Sequence, residues 1–136
     1  MKNVLFLCTG NTCRSPMAAA LFDRYAREQG MDASADSAGL AAWPGERVSP
    51  HAVTVMAELG ADVSAHVARP VTKELLDAAD RIFCMSAEQV GALQAAGYPA
   101  QLLGEGIPDP YGGTVEDYRR CRDAIAAALP QAAEGL

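Results

Sequence analysis

Apolar and polar residues alternate in blocks along the chain, and these blocks predict strands that alternate with helices. The first block, residues 3–7, is a continuous apolar run followed by a polar turn with a glycine, which is typical of a strand buried on both faces. A helix follows, since Ser15 offers an N-cap, Pro16 suits the first helical position, and apolar residues recur at spacings of four to about Gly30. The chain therefore opens with a β-α unit.

Cap and turn residues divide the rest of the chain into further elements. Ser49 and Pro50 predict a second helix start, and Ser86 with Gln89 forms a capping box. The predicted elements are strands over 33–38, 81–85 and 100–103, and helices from Ser49 to Gly60, from Thr72 through Leu76, from Ser86 to about Gly97, and from Thr114 to Pro130.

Strands connected through helices predict a parallel sheet covered on both faces, because each parallel connection needs a crossover that a helix supplies. The chain has 136 residues, half of them hydrophobic, which suits one domain spanning 1–136 with a buried core. Ligands of such sheets bind beyond the carboxyl ends of the strands. The turn after the first strand is therefore the first place to look for a site.

Charge and cysteine usage narrow the class of protein. The net charge of −6 argues against nonspecific nucleic-acid binding, which needs a basic surface. The N-terminal apolar run is too short for a signal peptide or a membrane span, so we expect a cytoplasmic protein with no membrane partner. In a reducing cytosol the four cysteines are not expected to form a disulfide framework.

His51 and His66 are separate from each other and from any cysteine pair, so no metal and no cofactor are expected. Both histidines are expected to be surface or capping residues. No feature of the sequence predicts an oligomeric state.

Residues 8–16 read Cys-Thr-Gly-Asn-Thr-Cys-Arg-Ser-Pro, which places a cysteine at the end of a buried strand and an arginine at the mouth of a helix. The backbone N–H groups of such a loop and the positive end of the helix form a cradle for an anion such as phosphate. Arg14 adds a planar fork of donors that matches two phosphate oxygens. Cys8 is then an in-line nucleophile, with Ser15 as a hydrogen-bond donor to its sulfur. The expected product is a phosphocysteine intermediate.

Two other interpretations of this loop are weaker. A lone cysteine in such a turn is often a buried small hydrophobe, but here Arg14 and a helix start accompany it, and Gly10 permits a tight bend. A nucleotide-binding P-loop needs a Gly-Lys pair, and none follows Gly10. The combination favours phosphate chemistry on a cysteine.

The loop resembles the signature of the low-molecular-weight protein tyrosine phosphatase family, Cys-x5-Arg-Ser-Pro with an internal Gly10-Asn11. Ser37-Ala38-Gly39 and Asp109-Pro110-Tyr111 also match that family, so the resemblance covers essentially the whole chain. It implies an α/β, flavodoxin-like three-layer fold with a four-stranded parallel sheet, and a two-step phosphatase mechanism on phosphorylated protein substrates. It also implies that Asn11 braces the loop through hydrogen bonds.

A general acid must reach the cradle to protonate the leaving group, and Asp109 lies between two prolines in the loop after the last strand. An isolated Asp-Pro usually serves turn chemistry, but the family motif favours the acid. The resemblance places aromatic pocket walls at Trp43 and Tyr111, although Trp43 could equally anchor its loop. The predicted substrate-binding residues are Thr9, Gly10, Asn11, Thr12, Cys13, Ser15, Trp43 and Tyr111, beside the catalytic Cys8, Arg14 and Asp109.

Three cysteines lie outside the nucleophile position. Cys84 falls on a predicted buried strand and Cys121 on the apolar face of the last helix, so core packing is expected for both. Cys13 shares the loop with Cys8, and we expect it to protect Cys8 through a reversible disulfide under oxidation.

The substrate prediction depends on Thr12. Tyrosine-directed members of the family usually carry an apolar branched residue here, whereas bacterial protein arginine phosphatases carry threonine in a nearly identical stretch. A hydroxyl at the pocket wall can hydrogen-bond a phosphoguanidinium group. The Asp-Pro-Tyr-Gly-Gly-Thr run also resembles the arginine-directed branch, whereas Trp43 is familiar from tyrosine-directed members. The balance favours phosphoarginine and leaves phosphotyrosine open.

Two alternative functions belong to other classes. A thioredoxin-coupled arsenate reductase resembles this fold and loop, with serine at the position of Thr12, but needs two further shuttle cysteines close in sequence, and Cys84 has no such neighbour. A noncatalytic phosphoprotein-binding module would retain the cradle but have no use for Cys8 and Asp109 together.

Overall fold

A computed structural model describes residues 1–136 and contains nine elements, four strands and five helices. In chain order these are β1 (Lys2–Cys8), α1 (Arg14–Glu28), β2 (Ala33–Gly39), α2 (Pro50–Ala57), α3 (Lys73–Ala78), β3 (Arg81–Cys84), α4 (Ala87–Ala95), β4 (Ala100–Leu102) and α5 (Val115–Ala132).

The four strands form one parallel sheet in the order β2-β1-β3-β4, as the strand pattern predicts. Cys8, the last residue of β1, is in register with Gly39 at the end of β2, and Leu7 is in register with Cys84 at the end of β3. The carboxyl ends of these three strands therefore lie together. The loops that follow them meet at a single edge of the sheet, where the site lies.

Helices cover both faces of the sheet and complete the three-layer α/β fold, flavodoxin-like in arrangement. Side chains of β1 alternate, so that Val4 and Phe6 enter a large apolar cluster while Leu5 and Leu7 enter a smaller one on the other face. Helices α1, α2 and α5 pack on the large cluster, and α3 and α4 pack on the small one. None of the five helices has the length and apolar character that crossing a bilayer requires.

Three helix starts follow their predicted caps. Thr72 accepts a hydrogen bond from the N–H of Leu75, Ser86 and Gln89 form the predicted capping box, and Thr114 forms a second box with Asp117. Each cap depends on side chains within three positions of one another, which is why the sequence alone places these starts correctly.

Two predicted helix boundaries are wrong. Ser15 is not an N-cap, because α1 already begins at Arg14 and the Ser15 side chain is bound elsewhere. Pro130 does not end α5, which continues to Ala132. The N–H of Ala133 still bonds to the carbonyl of Leu129, so the missing N–H of the proline does not unwind the last turn.

Candidate active site

An open cleft of about 280 Å³ lies at the carboxyl end of β1, bounded by the loop that joins β1 to α1. Its floor and walls come from the first loop, the segment after β2 and the loop before α5, which are far apart in sequence. The lining residues are Cys8, Thr9, Gly10, Thr12, Cys13, Arg14, Ala41, Trp43, Glu46, Asp109 and Tyr111.

The thiol of Cys8 lies almost fully buried at the base of this cleft, with 3% of its surface exposed. Its Sγ is 2.9 Å from Ser15 Oγ and accepts a hydrogen bond from the N–H of Asn11 at 3.2 Å. Asn11 Nδ2 donates to Ser15 Oγ at 2.8 Å, which leaves the Ser15 hydroxyl proton free to point at the sulfur. Two donors and the positive end of α1 therefore face the sulfur, the atom that attacks phosphorus.

Asn11 braces the loop, as the family resemblance implies. It is fully buried, and its Oδ1 accepts a hydrogen bond from the N–H of Arg69 at 3.0 Å. Its Nδ2 also donates to Ser37 Oγ at 3.1 Å, and its carbonyl oxygen is 2.9 Å from His66 Nε2. The expectation that His66 is a surface or capping residue is wrong, because this half-buried ring contacts the phosphate loop directly.

Backbone geometry corrects the expectation about Gly10. The left-handed residue of the loop is Asn11, with φ 56°, and Gly10 does not have a positive φ. A Cβ at Gly10 would make only an ordinary contact, 3.6 Å from Thr12 Oγ1. Beside the loop, Gly39 has no room for a side chain, because a Cβ there would lie 2.7 Å from the carbonyl oxygen of Thr9 and 2.6 Å from the Cβ of Ala42.

Arg14 is fixed on one side and available on the other. Its guanidinium is buried and donates one hydrogen bond to the carbonyl of Ile107 at 2.9 Å. A second nitrogen is 3.8 Å from Asp109 Oδ2, so the predicted clamp and the predicted acid face each other across the cleft. Asp109 Oδ1 accepts from the N–H of Tyr111 at 3.0 Å, and this turn bond leaves the other carboxylate oxygen turned toward Arg14.

Thr9 is held in place by a hydrogen bond from a residue of α4. Gln89, whose Oε1 accepts from the backbone N–H of Met85 and Ser86, donates from Nε2 to Thr9 Oγ1 at 3.0 Å. One buried glutamine thus caps α4 and fixes a residue of the phosphate loop.

Cys13 and Thr12 form the wall nearest α5. Cys13 Sγ is 3.3 Å from the hydroxyl of Tyr118 and 3.7 Å from Thr12 Oγ1. Burial raises the pKa of the Cys13 thiol, in spite of those two hydrogen bonds. His51 packs its ring against Tyr118 at a centroid distance of 5.4 Å.

The two predicted aromatic walls line the cleft, and each is 77% exposed. The alternative that Trp43 is a partly buried anchor is therefore wrong. Ala41 and Glu46 also line the cleft, and sequence reasoning missed both. Neither belongs to a motif. Ala41 reaches the cleft because its N–H donates to the carbonyl of Thr9, and Glu46 because its segment pairs with residues 66–68 around the Arg47–Val67 bridge.

The other two cysteines are buried in the sheet layers, as expected. Cys84 is in the small apolar cluster and Cys121 in the large one. Burial raises the pKa of each thiol to about 12, so neither is a thiolate near neutral pH.

A buried thiol with two donors, an arginine fixed at the end of the same loop and a carboxylate opposite it define a cysteine-dependent phosphatase on an α/β fold. Residues 3–136 match the low molecular weight phosphotyrosine protein phosphatase family, to which this chain belongs.

Relatives with known names support this class. The protein-arginine-phosphatase of Bacillus subtilis strain 168 is 37% identical over 98% of this chain and 96% of its own length. A crystal structure of a low molecular weight protein tyrosine phosphatase from T. tengcongensis is 35% identical, covers all of both chains and has a TM-score of 0.91. A mutant of the YwlE arginine phosphatase with a phosphorylated active-site serine is 35% identical over 97% of this chain and 93% of that one, with a TM-score of 0.89.

One relative is named for arsenate reduction, the alternative enzymatic activity. An arsenate reductase of Brevibacillus brevis is 32% identical over 98% of this chain and 95% of its own length. Identity at this level is shared by phosphatases and this reductase alike, so identity alone does not separate the two activities.

Proposed function

We propose that this chain is a cytoplasmic protein phosphatase that prefers phosphoarginine and retains activity on phosphotyrosine. Cys8 attacks the phosphorus while Arg14 and the loop N–H groups hold the phosphate oxygens, and Asp109 gives its proton to the departing nitrogen or oxygen. The phosphate is transferred to the Cys8 sulfur. A water molecule, deprotonated by the same carboxylate, then hydrolyses the phosphocysteine and regenerates the thiolate. A nucleophilic thiol must stay reduced, which favours the cytoplasm.

The main observation in favour of phosphoarginine is the position of Thr12 in the cleft. Thr12 lines the cleft and is 8% exposed, so a substrate that fills the cleft removes the remaining contact of the hydroxyl with water. The Cys13 sulfur uses only part of the hydrogen-bonding capacity of this hydroxyl. A phosphoguanidinium offers N–H donors to the remaining lone pairs, where a phenyl ring offers none. Trp43 supports the opposite preference less strongly, because a wall that is 77% exposed still leaves the mouth open to a polar group.

The test is catalytic efficiency on matched phosphoarginine and phosphotyrosine peptides for the native sequence, Thr12→Val and Thr12→Ile. Valine removes only the hydroxyl, and isoleucine also adds bulk. We expect both variants to lower the phosphoarginine to phosphotyrosine ratio by roughly 10-fold, since one unpaired buried polar group is involved. A ratio that stays unmoved in Thr12→Val removes the main support for the arginine assignment.

Arsenate reduction is the second candidate, because a relative carries that name. The reductase chemistry needs a relay of thiols beyond the nucleophile. Cys84 and Cys121 are buried with raised pKa values and do not line the cleft, so they do not supply such a relay. Thioredoxin oxidation that depends on arsenate, at a rate near that of phosphate release, would contradict the phosphatase proposal. Phosphate release from a generic aryl phosphate would exclude the noncatalytic binding module.

A further inference from the structure

We propose that Glu46 is a specificity-determining residue, which selects phosphoarginine over phosphotyrosine by placing a negative charge where the substrate's guanidinium lies. The inference rests on the proposed function, since it concerns the same cleft and the same substrate. Glu46 belongs to no motif of the sequence, and only the folded chain brings it to the site.

The position of Glu46 is fixed by its backbone. The carbonyl of Glu46 accepts from the N–H of Ala68 at 2.8 Å, and the neighbouring N–H of Gly45 donates to the carbonyl of Ala68 at 2.9 Å. Residues 45–48 therefore pair with residues 66–68, and His66 in turn contacts the carbonyl of Asn11 in the phosphate loop. The segment that carries Glu46 is thus tied to the segment that shapes the cradle.

The side chain of Glu46 is free for a ligand. It takes part in no salt bridge and accepts no hydrogen bond from a side chain, although it lines the cleft beside Thr12 and Tyr111. Arg14, the cationic residue of the cleft, is already shared with Asp109. The cleft therefore holds one cation and two carboxylates, an unfavourable balance for a substrate that is purely anionic.

The direction of the reaction places the guanidinium near this carboxylate. In an in-line displacement the leaving group departs on the side of phosphorus opposite the attacking sulfur. Cys8 is at the buried base, so the leaving group must face the exposed mouth, where Glu46 and Tyr111 lie. A phosphoguanidinium is cationic beside its phosphate and becomes a full guanidinium on release, whereas a tyrosine leaving group has no positive charge. Glu46 therefore attracts one substrate and repels the other.

The experiment compares Glu46→Gln with the native sequence on peptides that differ only in phosphoarginine or phosphotyrosine. The control is Glu134→Gln, which removes the same charge from an exposed position that does not line the cleft. We expect Glu46→Gln to lower kcat/KM for phosphoarginine, to raise it for phosphotyrosine, and to reduce the ratio by roughly 3- to 20-fold. The change should shrink in high salt, because salt screens exposed charges. Glu134→Gln should leave the ratio at its native value.

Two outcomes separate this inference from the proposed function. If the native protein hydrolyses phosphoarginine but Glu46→Gln leaves the ratio unchanged, or shifts it as Glu134→Gln does, Glu46 is not a selector and the proposed function stands. If the native protein does not hydrolyse phosphoarginine at all, the proposed function itself fails and the role of Glu46 fails with it.

Discussion

Asp109 makes two contacts that serve different purposes. One carboxylate oxygen closes a turn by accepting from the N–H of Tyr111, and the other faces Arg14 at 3.8 Å. The carboxylate is half exposed, so a water molecule can reach it for the second step of the reaction. The turn bond limits where the carboxylate can go without fixing it on the arginine. This combination suits an acid that must first give a proton to the leaving group and then take one from water.

The first prediction follows from that role. Asp109→Asn keeps the turn acceptor but cannot donate a proton, so turnover should fall by roughly 10²- to 10⁴-fold for substrates with poor leaving groups. Substrates whose leaving group needs no proton should be slowed far less. A series of aryl phosphates with graded leaving groups measures this directly, and uniform slowing across the series would remove Asp109 from the acid role.

At the scale of elements, β2 is joined to the phosphate loop by close backbone contact. Beyond β2, the N–H groups of Leu40 and Ala41 donate to the carbonyls of Cys8 and Thr9. These two backbone hydrogen bonds bring Gly39 against Thr9 and Asn11, and leave no space for a methyl group on Gly39. The loop that carries the nucleophile thus keeps its shape partly because a neighbouring strand supports it.

The second prediction tests that support. Gly39→Ala should destabilise the fold by about 1–3 kcal/mol, the usual cost of overpacking, and should lower phosphatase activity because the added methyl displaces Thr9. Gly91→Ala in α4 is the matched control, since a Cβ there meets nothing within 4 Å, and it should stabilise by about 0.5–1 kcal/mol. Denaturant unfolding and aryl phosphate hydrolysis give both values. Equal stability changes in the two variants would contradict the close approach at Gly39.

Elements whose signals lie within a few residues were predictable from the sequence. The caps at Thr72, Ser86 and Thr114 are local, and so is the loop that places Arg14 after Cys8. Ser15 misled the prediction because a hydroxyl at a helix start has two possible kinds of partner, and in the fold this hydroxyl contacts the Cys8 sulfur while α1 has no side-chain cap. The local sequence does not show which hydrogen-bond partner a side chain will have when only folding brings that partner close.

The parts of the site that the sequence did not reveal are those made by distant pairing. His66, Arg69 and Glu46 reach the phosphate loop through the contact between the segments after β2 and before α3. Neither segment is a regular strand, so no periodic pattern marks the pairing. The loop motif predicts which chemistry occurs, whereas part of the loop's structural support comes from residues that have no motif.

At the scale of the whole molecule, one carboxylate connects the end of α2 to α5. Glu58 lies between Arg119 and Arg122, at 2.7 Å from a nitrogen of each. Hydrogen bonds from Arg119 and then Arg122 lower the pKa of Glu58 to about 2. Arg122 also donates to the carbonyl of Val55, so the network continues into the last turn of α2. The contact ties two of the three helices on the large apolar cluster.

The third prediction is a pH dependence of that contact. A carboxyl whose pKa is lowered by folding stabilises the fold above its ordinary pKa of 4.5, and this contribution disappears as the pH falls toward about 2. Glu58→Gln should therefore be less stable than the native protein at pH 7, and the difference should narrow steadily below pH 4.5. Glu105→Gln, at an exposed position with no ionic partner, is the control. A difference that stays constant down to pH 3 would show that packing, rather than charge, is what Glu58 contributes.

The pair of Arg14 and Asp109 also has a consequence for what the resting enzyme binds. The Asp109 carboxylate is tethered beside the Arg14 guanidinium, so its effective concentration there is high. A free anion must displace it in order to bind Arg14. Because the contact between Arg14 and Asp109 is long, little free energy is needed to displace the carboxylate. The phosphate that then binds Arg14 also leaves Asp109 free to face the leaving group. Removing the competitor should show this directly: Asp109→Asn should bind inorganic phosphate more tightly than the native protein, by roughly 2- to 10-fold, even though it turns over more slowly. Product inhibition by phosphate, measured alongside turnover, tests whether Asp109 helps Arg14 to release the phosphate product.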